Sequence, residues 1–178
     1  MPNYTSAFLL KVANALVEEV AQNTDTVLET ARRLQERERF MDNLKGAFSA
    51  GSLVGQLKNN LELAIRLSDK AAEAGLSNDA ENSLTPAFVR GKALFQKGII
   101  AMGQKSFKEA VECFEESLKH ISDQAVYFNI AVCFLQMKGI FRDRTQDAIT
   151  AFENCINLNP NSELAIRAGK ELARLGRL

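Results

Sequence analysis

Two stretches decide how this chain folds: TPAFVRGKALFQKGIIAMGQKSFKEAVECFEESLKH over Thr85–His120 and DQAVYFNIAVCFLQMKGIFRDRTQDAITAFENCINLNPN over Asp123–Asn161. Each reads as two amphipathic helices joined by a polar turn, and the two repeat one pattern. In the first, Leu94, Gly98 and Ala101 precede Ala110, Phe114 and Ser117; in the second, Tyr127, Ile130, Ala131 and Phe134 precede Ala148, Phe152, Cys155 and Pro160. Small residues at Gly98, Ala131, Ala110 and Ala148 mark where two helices cross closely, and large ones fill the space beside them.

This pattern resembles the tetratricopeptide repeat, whose signature sets a large residue, a small one and an aromatic on helix A, then Ala-x₃-Phe and a closing Pro on helix B. The pattern is fuller in the second hairpin. In the first, Lys97 stands where the family usually has Leu, Ala101 where it has an aromatic, and Ser122 where it has Pro. On helix A, Tyr127 follows Leu94 by close to one family period. On helix B, Phe152 follows Phe114 at a longer interval, so the excess falls in GIFRDRTQ, Gly139–Gln146. The resemblance implies an all-α fold of antiparallel hairpins stacked as a short solenoid. It implies nothing about the ligand.

Working outward, residues 76–85 are polar and turn-rich and read as a linker, with Thr85-Pro86 as an N-cap followed by Pro at the first helical position. Ser106-x-x-Glu109 has the form of a capping box, Asp123 caps the next helix, Gly139 ends it and Thr145 starts its partner. A last helix from Ser162 alternates Ala and Leu with Arg and Lys, as a solvating cap on a repeat stack does. The domains expected are therefore an N-terminal helical region over 1–75, the linker over 76–85, and two repeats with a capping helix over 86–178.

Three helices are expected in the N-terminal region. The first covers 5–21, with Phe8, Leu9, Val12, Ala13, Leu16, Val17 and Val20 on one broad stripe, and Asn23-Thr24-Asp25 breaks it. The second starts near Thr26, repeats Val27, Leu34, Met41 and Phe48 at heptad spacing, carries the charged run QERER (Gln35–Arg39), and stops at Ala50-Gly51-Ser52. The third, from about Leu53 to Ala74, is apolar on more than one side and so is expected to be sandwiched. Its Ala64-x₃-Ser68-x₂-Ala71 faintly echoes the helix-B pattern, which leaves open a degenerate extra repeat.

Composition bounds the function. Lys plus Arg and Asp plus Glu are both 22, so the formal net charge is zero and nothing favours nucleic acid or an anionic membrane. No apolar run is long enough to span a bilayer, and MPNYT lacks the basic start of a secretory signal, so a cytoplasmic protein is expected. Cys113, Cys133 and Cys155 show no metal-ligand spacing and read as structural thiols. His120, the only histidine, sits beside Lys119 at a helix C-terminus, where a cation complements the dipole. With no phosphate loop and no converging titratable groups, neither an enzyme nor a cofactor is expected.

Binding is the expected role, because helices A line the concave face of a repeat stack. Projecting them outward places Phe95, Ile99, Met102, Phe128, Asn129, Val132 and Leu135 on that face, with Arg167 from the capping helix. By the resemblance, members that capture a C-terminal carboxylate line this face with Lys, Asn and Arg. Phe95 and Ile99 stand where two of those groups would be, which disfavours that mode. The face either receives a peptide or helix of a partner protein, as in an adaptor or assembly factor, or is filled by the chain's own N-terminal helices. The alternative is a homodimeric scaffold or secretion-type chaperone, associating through the N-terminal helices.

Overall fold

The structure, a computed structural model, describes residues 6–36, 40–74, 84–137 and 144–176, the side chains of 25–51 excepted. These residues form seven helices: α1 Ser6–Glu36, α2 Phe40–Glu73, α3 Pro86–Gly103, α4 Phe107–Leu118, α5 Gln124–Gln136, α6 Thr145–Leu158 and α7 Glu163–Arg174. Among the described residues there is no strand. Each helix packs chiefly on its neighbours in the chain, giving hairpins α1–α2, α3–α4 and α5–α6, with α7 laid on α6 and α5. The all-α stack of antiparallel hairpins stands as the sequence led one to expect.

The N-terminal region departs from expectation: it has two long helices where three were read. Asn23-Thr24-Asp25 does not break α1, and the polar side chains of Asn23 and Thr24 are satisfied inside the helix. The Thr24 hydroxyl donates to the Val20 carbonyl at 2.7 Å and the Asn23 amide to the Glu19 carbonyl at 2.7 Å. Thr26 therefore starts nothing. Nor does Ala50-Gly51-Ser52 end α2, since one glycine costs a helix about 1 kcal/mol, which tertiary packing of α2 on both α1 and α3 outweighs. Whether Val27, Leu34, Met41 and Phe48 meet a partner falls outside the described side chains, as do Gly139 and most of the linker.

Cap chemistry holds elsewhere. The Thr85 hydroxyl accepts from the Phe88 amide at 3.1 Å with Pro86 at the first position, Asp123 accepts from Ala125 at 2.8 Å, and Ser162 accepts from Ala165 at 3.0 Å. Ser106 occupies the cap position of α4 but makes no side-chain cap bond, and neither does Arg144 before α6. The Ser106 carbonyl instead accepts the first helical bond from Ala110 at 2.9 Å.

Two apolar clusters hold the stack. One joins Leu10, Ala13, Val17 and Val20 of α1 with Leu57, Leu61, Ala64 and Ala71 of α2 and with Val89, Ala93 and Ile100 of α3. The other runs through the repeats around Phe114, Ile130, Phe134, Phe152 and Leu172. Ala64, Ser68 and Ala71 are buried as their helix-B-like spacing suggests, and α3 packs on both α1 and α2 as α7 does on α5 and α6. Across this junction Lys58 pairs with Glu109 at 3.5 Å, Glu62 with Lys97 at 3.6 Å, and Asp69 with Arg90. Lys97 can therefore replace the family's Leu: its face meets the carboxylate of α2.

Inside the first hairpin, a methyl group built at Gly98 would collide with the Phe114 ring. Phe114 is fully buried and cannot swing aside, so the close crossing requires glycine. A second close approach is at Gly91, whose carbonyl accepts from the buried Ser117 hydroxyl at 2.8 Å.

Candidate functional site

Three sectors of α3 have different neighbours. Val89, Ala93 and Ile100 meet the N-terminal hairpin. Gly91 and Gly98 face His120, Ile121 and Phe114, at the far end and the body of α4. At 3.6 residues per turn, Phe95, Ile99 and Met102 form a third row, roughly 130° around the helix from the first. The described N-terminal residues thus pack behind this row and do not cover it. All three side chains are half-buried, resting on the repeat core while one side faces outward.

The same row recurs on α5. Phe128, Val132 and Leu135 repeat the spacing of Phe95, Ile99 and Met102 one repeat later, and all are half-buried against the same core. In both rows the phenylalanine leans on a buried ring of the following helix: Phe95 on Phe114 with centroids 5.6 Å apart, and Phe128 edge-on to Phe152 at 5.5 Å. Arg167, exposed on α7, sets its guanidinium over Phe128 at 5.0 Å. Asn129 is half-buried too, but its amide donates to the Ala125 carbonyl of its own helix at 2.8 Å, so part of its bonding capacity is used within α5.

Sequence reading missed one extension of the surface. Phe88, 37% exposed, and Lys92, whose ammonium lies 5.1 Å over the Phe88 ring, continue the α3 row by two turns towards its N-terminus. The signal was the spacing Phe88, Lys92, Phe95, Ile99, Met102, a single helical stripe interrupted by one cation.

Chemistry is poorly supported elsewhere. A cleft of about 340 Å³ between α2, α3 and the end of α4 is lined by Ser68, Asp69, Arg90, Glu116 and His120. Its charges alternate in sign and pair off, Arg90 with Asp69 and Lys119 with Glu116. Burial first, and the Arg90 guanidinium second, hold the His120 imidazole below its ordinary pKa. This favours the neutral ring over the cation. Burial raises all three thiols, Cys133 to about 12, so none is a ready nucleophile at neutral pH. Among the described residues no group of three or more His, Cys, Asp or Glu side chains is arranged to hold a metal ion, and no helix is long and apolar enough to cross a membrane.

Residues 91–119 match the family model of the tetratricopeptide repeat. The hairpin α3–α4 is similar in sequence to a tetratricopeptide repeat. The matched residues are those of the first hairpin, although the second carries more of the signature residues. Its spacing is interrupted by the insertion in Gly139–Gln146, whereas the first runs at unbroken family length. No curated protein and no solved structure matches the chain. Tetratricopeptide repeats generally mediate protein–protein interactions and are typically not catalytic.

Proposed function

We propose that this chain is a protein-binding module, an adaptor or assembly factor, that receives a peptide or helix of another protein across the helix-A face of its repeats. The observation that carries this reading is the pair of matching rows, Phe95-Ile99-Met102 and Phe128-Val132-Leu135, left half-exposed on a face that the neighbouring hairpins do not use. Side chains held in place by a rigid core, with one apolar side open, are suited to anchor a partner at little entropic cost. Site-specific photocrosslinking in the native cell tests it, with the probe at Ile99 or Val132 and, as control, at Lys108 on the opposite side of the stack. A discrete crosslinked polypeptide from the first two positions and none from the third is expected. Equal crosslinking from all three would remove the assignment.

The homodimeric reading keeps one observation in its favour. Helices α1 and α2, of 31 and 34 residues, outrun the 18 residues of α3 by roughly 20 Å at 1.5 Å per residue. The far end of that hairpin thus extends past α3. Light scattering at tens of micromolar distinguishes a monomer from a dimer.

A further inference from the structure

The zero net charge conceals a separation of sign between the two sides of the repeat stack. Helices α3, α5 and α7 carry six basic residues (Arg90, Lys92, Lys97, Arg167, Lys170, Arg174) and two acidic ones, Glu163 and Glu171, while α3 and α5 carry no carboxylate at all. Helices α4 and α6 carry one basic residue, Lys108, and six acidic ones. Three of the helix-A cations are neutralised, Arg90 by Asp69, Lys97 by Glu62 and Arg174 by Glu171. Lys92, Arg167 and Lys170 have no carboxylate partner among the described residues, and Lys92 and Arg167 are each held over a phenylalanine ring.

Their positions matter. Lys92 stands two turns into α3 and Arg167 little more than one turn into α7, so both lie in the N-terminal halves of their helices. From Phe95 and Phe128 the apolar rows run the other way, towards Met102 and Leu135. The face therefore has a cationic rim along one edge and an apolar floor beside it. Both cations are already oriented by their rings, so pairing with a ligand carboxylate costs less side-chain entropy than it would for a free lysine or arginine.

We propose that the partner segment is acidic and amphipathic: its apolar side chains seat on the Ile99 and Val132 floor, and its Asp or Glu side chains meet Lys92 and Arg167. This rests on the helix-A face being the binding surface. Charge complementarity selects an acidic polypeptide over a neutral one. The Phe88 and Phe128 rings lie beneath Lys92 and Arg167 and so are not free to stack on bases, which favours polypeptide over nucleic acid.

The test is selection of a random peptide library on the full-length protein, followed by anisotropy titration of the enriched peptides. Enriched peptides should pair Asp or Glu with apolar residues. Lys92→Gln with Arg167→Gln should weaken them about tenfold and flatten their salt dependence, while Ile99→Ala with Val132→Ala should weaken them regardless of salt. Thermal melts of both double variants confirm that they are folded. Peptides that need Ile99 and Val132 but show no acidic bias, or that ignore the charge variants, overturn this proposal and leave the binding face standing. Peptides indifferent to both pairs overturn both. Tighter, salt-dependent binding of a single-stranded RNA 12-mer than of any selected peptide would also overturn it.

Discussion

The hairpins α3–α4 and α5–α6 solve one packing problem in two ways. Where α3 crosses its partner it has Gly98, with no room for a methyl beside the Phe114 ring. At the corresponding place in the next repeat, α5 has Ala131, fully buried with its methyl accommodated. Both hairpins bury one phenylalanine on the second helix and lean a second, half-exposed one against it from the first. The difference teaches that the repeat is fixed by this pair of rings, and that the crossing distance adjusts around them by one methyl group.

The largest effect should come from breaking the ring pair. Phe114→Ala and Phe152→Ala each open a cavity in a fully buried site and should cost about 3–5 kcal/mol. Phe128→Ala removes only the half-exposed ring and should cost roughly 2 kcal/mol on the same scale. Chemical denaturation of the three variants ranks them. A loss at Phe128 as large as that at Phe152 would mean that the helix-A face is covered.

The crossing itself is the next test. Gly98→Leu should overpack the first hairpin by about 3 kcal/mol and Gly98→Ala by about 1–2 kcal/mol, in spite of alanine's better helix propensity. The reverse change, Ala131→Gly, should cost about 1 kcal/mol, mostly as propensity. Lys108→Ala and Glu112→Ala, both well exposed on the outer side of α4, should shift stability by about 0.5 kcal/mol or less. If Gly98→Ala raises the melting temperature, the contrast between the two crossings is wrong.

The smallest effect separates the ends of the hairpins. The first ends at His120, the second at Asn159-Pro160, which has no group titrating near neutrality. The native state holds the His120 pKa down, so the unfolded chain takes up a proton that the folded one resists. This contribution is present above the unfolded value of about 6.5 and is lost as pH falls through it. Between pH 7.5 and 5.5 the wild-type denaturation midpoint should fall slightly further than that of His120→Asn. Parallel falls would show that the imidazole environment is the same folded and unfolded.

The repeats were legible because their signature is local. Small and large residues recur at helical spacing, and a shift by one repeat carries Phe95, Ile99 and Met102 onto Phe128, Val132 and Leu135. The N-terminal helix ends were not legible. Asn, Thr and Asp favour breaks when their side chains compete with the backbone, and only the structure shows Thr24 and Asn23 bonding back into α1. Ser106 is the opposite case, with a cap sequence and no cap bond. The ion pairs of α2 with α3 and α4 join residues as far apart as Lys58 and Glu109, beyond any local pattern. Phe88 was within reach, had the apolar row been followed one turn past Lys92.

That the helices pack chiefly on their neighbours in sequence has a kinetic consequence. Contacts between neighbours in sequence require only short loops to close, which places the chain among rapid folders. During synthesis α1 and α2 are complete before α3 emerges, and their apolar faces can meet at once. The surface they then present, Leu57, Leu61, Ala64 and Ala71, is the one on which α3 later settles. Growth of the molecule is thus templated from one end, each new helix finding a finished surface already waiting.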